Sequence, residues 1–228
     1  MQKLDDDGFW DCPTRAREFL RMIGGVYKIF ALISHGETRQ MWSGHVLKDI
    51  NIFDNFLSDD LLCDTLKFLN PSKNCDPSIQ QGNWKYIGFS ISPNDAVFWH
   101  MDLRDFTLFT NTILKVIESK SGKRFELLDV YANGQTIGQN GNWHMDASIP
   151  GMYTFLLYMT YLPEIIDSTN YKTFGGCTKF KLNRMITDIE PFTNRGVLFK
   201  SEVRHAGLAP LYNNSLRVSI AYKLKEII

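Results

Sequence analysis

Everything after Arg124 is cut into short runs. FELLDVYANG, MYTFLLYMTYL, CTKFKL, GVLF and SLRVSIAYKL are rich in β-branched and aromatic residues, and Gly, Asn and Pro separate them. Runs of this length and texture build an all-β sandwich or barrel. The half before them reads differently. VLKDINIFDNFLSDDLLCDTLKFLN predicts a short strand and then a helix. Ser58 is placed to cap that helix, and Asp59 and Asp60 suit its first turn. Leu61, Leu62, Leu66 and Leu69 repeat at helical spacing until Asn70-Pro71 stops them. A second helix is expected from Asp102 to about Lys120, with Phe106, Phe109, Ile113 and Ile117 on one face and Ser121-Gly122 at its end. Residues 71–98 suggest loops and short strands. Helices followed by strands predict a mainly β fold with helices packed against one β core.

The chain has 228 residues, 44% hydrophobic and 22% charged, enough to bury a sizeable core. Residues 1–46 read as an extension, helical over Thr14–Leu32 apart from Gly24-Gly25, and residues 47–228 as the main domain. Its 25 basic and 25 acidic residues balance, so nothing pulls it electrostatically to nucleic acid or an anionic membrane. The cysteines at 12, 63, 75 and 177 have no metal-binding or C-x-x-C spacing and are expected to be free thiols. The acidic start Asp5-Asp6-Asp7 does not suit a signal peptide, and Met22–Ser34 is too short to span a bilayer. The expectation is a soluble, cytoplasmic protein.

The tetrapeptide Trp-His-Met-Asp occurs twice, at Trp99–Asp102 and Trp143–Asp146. On extended chain, residues i and i+2 point to the same side, so His-x-Asp can present two ligands together. The first copy precedes the expected second helix. Asp102 reads as its N-cap and His100 as a surface or packing residue. The second copy follows a glycine-rich turn and precedes a long strand, which puts His144 and Asp146 at a strand end or the turn beside it. Five histidines occur, and besides these two there are His35, His45 and His205. His205 lies several strands further on, where the chain can return beside the first pair. Two histidines and a carboxylate on one face make the facial triad of non-haem Fe(II) oxygenases, which leaves positions open for a chelating cosubstrate and O₂.

Arg217 and Ser219 alternate with Leu216, Val218 and Ile220, so they share one strand face. An arginine pointing into a barrel is costly unless it meets an anion. A dicarboxylate would supply one, gripped in a bidentate pair.

These segments resemble the Fe(II)- and 2-oxoglutarate-dependent dioxygenases, in the prolyl 4-hydroxylase-like branch, from about Val46 to Leu224. NIFDNFLSDDLLCDTLKFL is similar to the opening strand and helix of that domain, and VYANGQTIGQNGNWHMD to its Tyr-x-x-Gly…His-x-Asp segment. TFLLYMTYL, FGGCTKFKL and PFTNRGVLFKSEVRHAGLAPLYNNSLRVSIAYKL resemble its later strands, through the distal histidine to the arginine. The resemblance implies a double-stranded β-helix, a cupin-like jelly roll with supporting helices. It implies Fe(II) at His144, Asp146 and His205, and 2-oxoglutarate against Arg217 with Ser219 on the same face. It implies that Tyr158 and Tyr131 line the cosubstrate pocket. Cys177 stands where the family usually has Glu. Lys223 stands where this branch is often aromatic, a point in which the chain is similar to the nucleic-acid-demethylating branch.

The activity implied is hydroxylation of a C–H bond with succinate and CO₂ as co-products, O₂ as oxidant and ascorbate as accessory reductant. The substrate implied is a peptidyl or prolyl group, lying over residues 80–100 with Trp84, Tyr86, Phe89 and Trp99. The alternatives are the same chemistry on a free amino acid, a small metabolite or a modified nucleobase, and a non-catalytic cupin-like binding module. A nucleic-acid partner is not expected.

Overall fold

The structure is a computed structural model that describes residues 49–69, 84–88, 97–160, 174–182, 185–212 and 215–227. The expected extension at residues 1–46 lies outside the described residues, as do Cys12, Cys75 and Phe89. The unit that carries the site comprises Val46–Leu66 and Gly82–Ile228. In chain order the elements are β1 (Ile50–Phe53), α1 (Asp59–Leu69), β2 (Lys85–Gly88) and β3 (Val97–Asp102). A π-helical stretch (Leu108–Ile113) then runs into α2 (Leu114–Ser121). The remaining strands are β4 (Phe125–Gln135), β5 (Met152–Tyr158), β6 (Thr178–Leu182), β7 (Met185–Ile189), β8 (Arg195–Lys200), β9 (Arg204–Gly207) and β10 (Arg217–Glu226).

The strands form two antiparallel sheets. The larger has the order β1-β8-β5-β10-β4-β3-β2 and the smaller β7-β6-β9. A one-residue bridge between His144 and His205 adds a further rung beside β9. One core cluster joins the sheets: Leu156, Tyr158, Val197, Phe199 and Ala221 come from the larger, and Phe180, Leu182 and Ile189 from the smaller. Burying a Phe stabilises by about 1.5–3 kcal/mol, and Phe180 and Phe199 meet edge to face at 4.9 Å. This is the mainly β core with supporting helices that the strand texture predicts.

Alternation along β10 sends Tyr222 to the opposite face, where it is fully buried and its hydroxyl donates to the Phe109 carbonyl at 3.3 Å. Phe109, Ile113 and Ile117 are buried, so the expected apolar face of the second helix is the one used. In β8 the absence of a side chain at Gly196 matters, because a Cβ there would lie 2.6 Å from the Phe155 ring.

The second helix starts later than expected. β3 continues through Asp102, which pairs with Tyr131 of β4. Asp102 is therefore a strand residue and not a helix cap. Its carboxylate accepts from the Arg104 backbone N–H at 3.0 Å and from Arg104 Nε at 2.9 Å, and the Arg104 guanidinium holds its pKa down at about 2. The helix ends as read, on Gly122 in the left-handed region at φ 68°. Among the described residues no helix is long and apolar enough to cross a membrane, and Cys63 and Cys177 are free thiols.

Candidate metal centre

Two segments far apart in sequence bring His144, Asp146 and His205 together, with one ligand atom from each within 4.8 Å of the others. His205 stands on β9. Its ring lies edge-on to Phe199 at 4.8 Å and stacks with Phe180 at 5.9 Å. His144, expected at a strand end or in the turn beside it, lies in the loop after β4 as a one-residue bridge to β9. It is fixed there by two backbone bonds, His144 N–H to the His205 carbonyl at 3.0 Å and His205 N–H to the His144 carbonyl at 2.9 Å. The Asp146 N–H donates to the Ser201 carbonyl at 3.0 Å, which ties the third ligand to the turn between β8 and β9.

Both histidines are turned the same way. His144 Nδ1 lies 2.8 Å from the Asn142 carbonyl oxygen and His205 Nδ1 lies 2.9 Å from that of Val203. A carbonyl only accepts, so each Nδ1 carries the proton and each Nε2 offers its lone pair. The Nε2 atoms lie 3.5 and 3.6 Å from the Asp146 carboxylate oxygens. Two neutral imidazoles oriented by backbone acceptors and one carboxylate suit a first-row divalent ion, Fe(II) among them.

The titration state agrees with that role. Burial alone would raise the Asp146 pKa, but His144, Lys223 and His205 together hold it well below the usual carboxylate range. Desolvation pushes His205 down to about 4, so it is neutral near pH 7. His144 goes the other way, raised chiefly by its hydrogen bond to Asp146. Of the two histidines, His144 is therefore the first to take up a proton as pH falls, and a bound metal competes with that proton. Affinity for Mn(II), a redox-stable probe, should fall as pH drops through the raised His144 pKa. The slope should be about tenfold per pH unit, one proton per metal, until His205 joins near pH 4. A pH-independent affinity across that range would remove His144 from the ligand set.

Lys223 and Thr154 complete the surroundings of Asp146. Lys223 Nζ lies 2.6 Å from Oδ2, and Thr154 Oγ1 donates to the same oxygen at 2.6 Å. Thr154 of β5 and Lys223 of β10 are register partners, so both reach Asp146 from adjacent strands. Tyr131 is brought to the same corner, with Lys223 Nζ 5.8 Å from its ring centroid. Burial raises the Tyr131 pKa.

Arg217 is buried at 3% exposure on the same face of β10. Its guanidinium donates to the Gly176 carbonyl at 2.6 Å, Gln135 Oε1 at 2.5 Å, Thr178 Oγ1 at 2.8 Å and Ser219 Oγ at 3.2 Å. These four acceptors carry no charge, and together they orient the guanidinium. Gly175 and Gly176 both sit in the left-handed region, at φ 74° and 71°, and that turn aims the Gly176 carbonyl at Arg217. Tyr158 is fully buried under the guanidinium, 5.4 Å from it, and its hydroxyl donates to Thr178 Oγ1 at 2.7 Å. Gln135, Thr178 and Thr154 escape a reading by motif, since neutral residues of this kind are common everywhere.

The other Trp-His-Met-Asp copy contributes nothing to the cluster. His100 lies in β3 opposite Asn133, its ring 5.3 Å from Tyr131. Tyr86 and Trp99, expected in a loop-rich stretch, belong to paired strands β2 and β3, with rings 5.0 Å apart.

No family model and no curated protein matches the chain. Solved structures do. A Pseudomonas putida prolyl-4-hydroxylase superposes at TM-score 0.52 and 16% identity, over 78% of this chain and 92% of its own. The viral collagen prolyl hydroxylase vCPH from Paramecium Bursaria Chlorella virus-1, solved as its 2OG complex, gives 0.51 and 15%, over 79% and 97%. SnoN, a non-heme alpha ketoglutarate dependent epimerase from nogalamycin biosynthesis, gives 0.56 and 10%, over 78% of each chain. This chain has the double-stranded β-helix fold of the 2OG-Fe(II) oxygenases. At these identities the likeness is one of fold. Within that fold, the larger sheet carries Arg217 and Lys223, while the smaller sheet and the loop bridged to it carry the two histidines.

Proposed function

We propose that this protein is a 2-oxoglutarate- and Fe(II)-dependent dioxygenase that hydroxylates a C–H bond. In this reading residues 47–228 form the oxygenase domain, and residues 1–46 are an extension to it. The observation that carries the reading is the meeting of His144, Asp146 and His205 within 4.8 Å on a fold of this class. When bound, Fe(II) would supply the redox chemistry that couples O₂ to decarboxylation of the keto acid.

The protein's own residues do the rest. His144 and His205 offer Nε2, and Asp146 offers its charge. Arg217, held by neutral acceptors, takes the distal carboxylate of 2-oxoglutarate, with Ser219 and Tyr158 beside it. Fixing both ends of the cosubstrate and holding the target C–H bond near the open positions is chiefly a matter of orientation.

A peptidyl or prolyl group is the first reading of the substrate. Its support is the presence of prolyl hydroxylases among the structural neighbours and the exposed apolar side chains Trp143, Met145 and Ile149 flanking the ligands. The second reading is a small metabolite, favoured by the comparable superposition of SnoN. The test is succinate release from 2-oxoglutarate with Fe(II), ascorbate and O₂. Panels of prolyl peptides and of small metabolites would then be screened for the mass of one added oxygen. Failure of metal-loaded protein to consume 2-oxoglutarate with any panel would favour the non-catalytic binding module.

A further inference from the structure

The centre contains a cation that its ligand set does not need. Lys223 is one-fifth exposed, and its Nζ sits 2.6 Å from Oδ2 of Asp146, which is 9% exposed. Thr154 donates to that same oxygen at 2.6 Å. Oδ1, the other oxygen, faces His144 Nε2 at 3.5 Å. An ammonium group and a divalent ion must therefore share one carboxylate. A bulge between Lys223 and Leu224 in the pairing of β10 with β4 marks the place where Lys223 turns to this position, and the Tyr131 ring lies 5.8 Å from its Nζ. The lysine is held there by paired strands, not by a mobile loop.

We propose that Lys223 makes retention of the divalent ion depend on an anionic cosubstrate. This inference rests on the reading of the site given above. The charges decide it. With Asp146 and Lys223 cancelling, a centre holding only the metal carries the full double charge of the ion in a partly buried place. Entry of a dianion such as 2-oxoglutarate offsets that double charge. Without Lys223 the metal would meet one positive charge fewer on entering, and so would the dianion. Lys223 thus weakens binding of the metal alone and strengthens binding of the dianion. The metal-loaded centre therefore binds the dianion more tightly, and at a given cosubstrate concentration more of the bound metal is held together with it. A metal-first centre would hold its ion tightly whether or not cosubstrate were present. This one should load both together and lose the metal when the dianion leaves.

The test titrates the full-length chain with Mn(II), with and without 2-oxoglutarate, following free Mn(II) by its EPR signal. Wild type, K223M, K223Q and K223R are compared, and melting curves confirm that each is folded. K223M should bind Mn(II) alone about tenfold more tightly than wild type, within the usual range of coupling between sites. At one sub-saturating concentration of 2-oxoglutarate, the enhancement should shrink by a similar factor. K223R, which keeps the charge, should behave as wild type. K223Q, which keeps a hydrogen-bond donor without the charge, should follow K223M. If K223Q follows wild type, or if K223M shows no tighter binding and an undiminished enhancement, Lys223 merely holds Asp146 and the proposal is wrong. If 2-oxoglutarate leaves Mn(II) affinity unchanged in wild type, the cosubstrate reading fails first and the coupling with it.

Discussion

Asp146→Ala should abolish metal binding, and succinate formation with it. The loss has two parts. The only carboxylate of the cluster disappears, and Lys223, which had been paired with it at 2.6 Å, is left facing two imidazoles in a site that has become positive. Removing one member of a partly buried charge pair leaves the other uncompensated, which is costlier than losing the pair itself. Outer-sphere partners of a metal typically cost 10–100-fold when removed, so a charged ligand should cost more than about 100-fold in Mn(II) affinity. Asp146→Asn keeps the shape and the hydrogen bond from Thr154 but not the charge, and should fail nearly as badly. His100→Ala, in the other copy of the same tetrapeptide, should leave Mn(II) affinity unchanged. Should His100→Ala lose the metal while His144→Ala keeps it, the assignment of the centre is reversed.

Arg217→Ala should raise the concentration of 2-oxoglutarate required by at least about 30-fold while metal binding persists. Truncating one partner of a buried charge pair costs roughly 2–5 kcal/mol, and about 1.4 kcal/mol is tenfold in affinity. The side chain also satisfies the Gly176 carbonyl, Gln135, Thr178 and Ser219, so the variant should melt at a lower temperature as well. Arg217→Lys separates the two effects. It restores the charge but offers a point donor in place of a planar fork, and should recover cosubstrate binding only in part. The measurement is a 2-oxoglutarate titration at saturating Mn(II) on protein shown to be folded. An unchanged affinity in Arg217→Ala would move the cosubstrate to another part of the fold.

The parts of this centre that were legible in the sequence are those whose chemistry is rare. Two histidines and an aspartate at ligand spacing, and an arginine alternating with Val218 and Ile220, stand out because such groups are seldom placed facing a core. The β-rich second half and the apolar face of Phe109, Ile113 and Ile117 were legible for a related reason, since periodicity is local. Asp102 was misread because a cap and a strand end look alike until the pairing partner is known. That partner, Tyr131, lies in a strand beyond the following helix. The approach of Lys223 and Thr154 to Asp146 depends on the register between β10 and β5, which no local pattern encodes. Gln135 and Thr178 were invisible because what they offer Arg217 is a neutral acceptor oxygen, which many side chains could supply.

The paired backbone bonds between His144 and His205 also bear on which ion suits the centre. The rung holds the two main chains side by side, each ring is turned by its Nδ1 bond to a carbonyl, and the rings stand 4.4 Å apart, centroid to centroid. Calcium needs six to eight oxygen ligands at about 2.3–2.6 Å, more oxygen than one carboxylate provides. A clasp that presents two ring nitrogens beside a single carboxylate disfavours that ion and suits the nitrogen-loving ions of the first transition row.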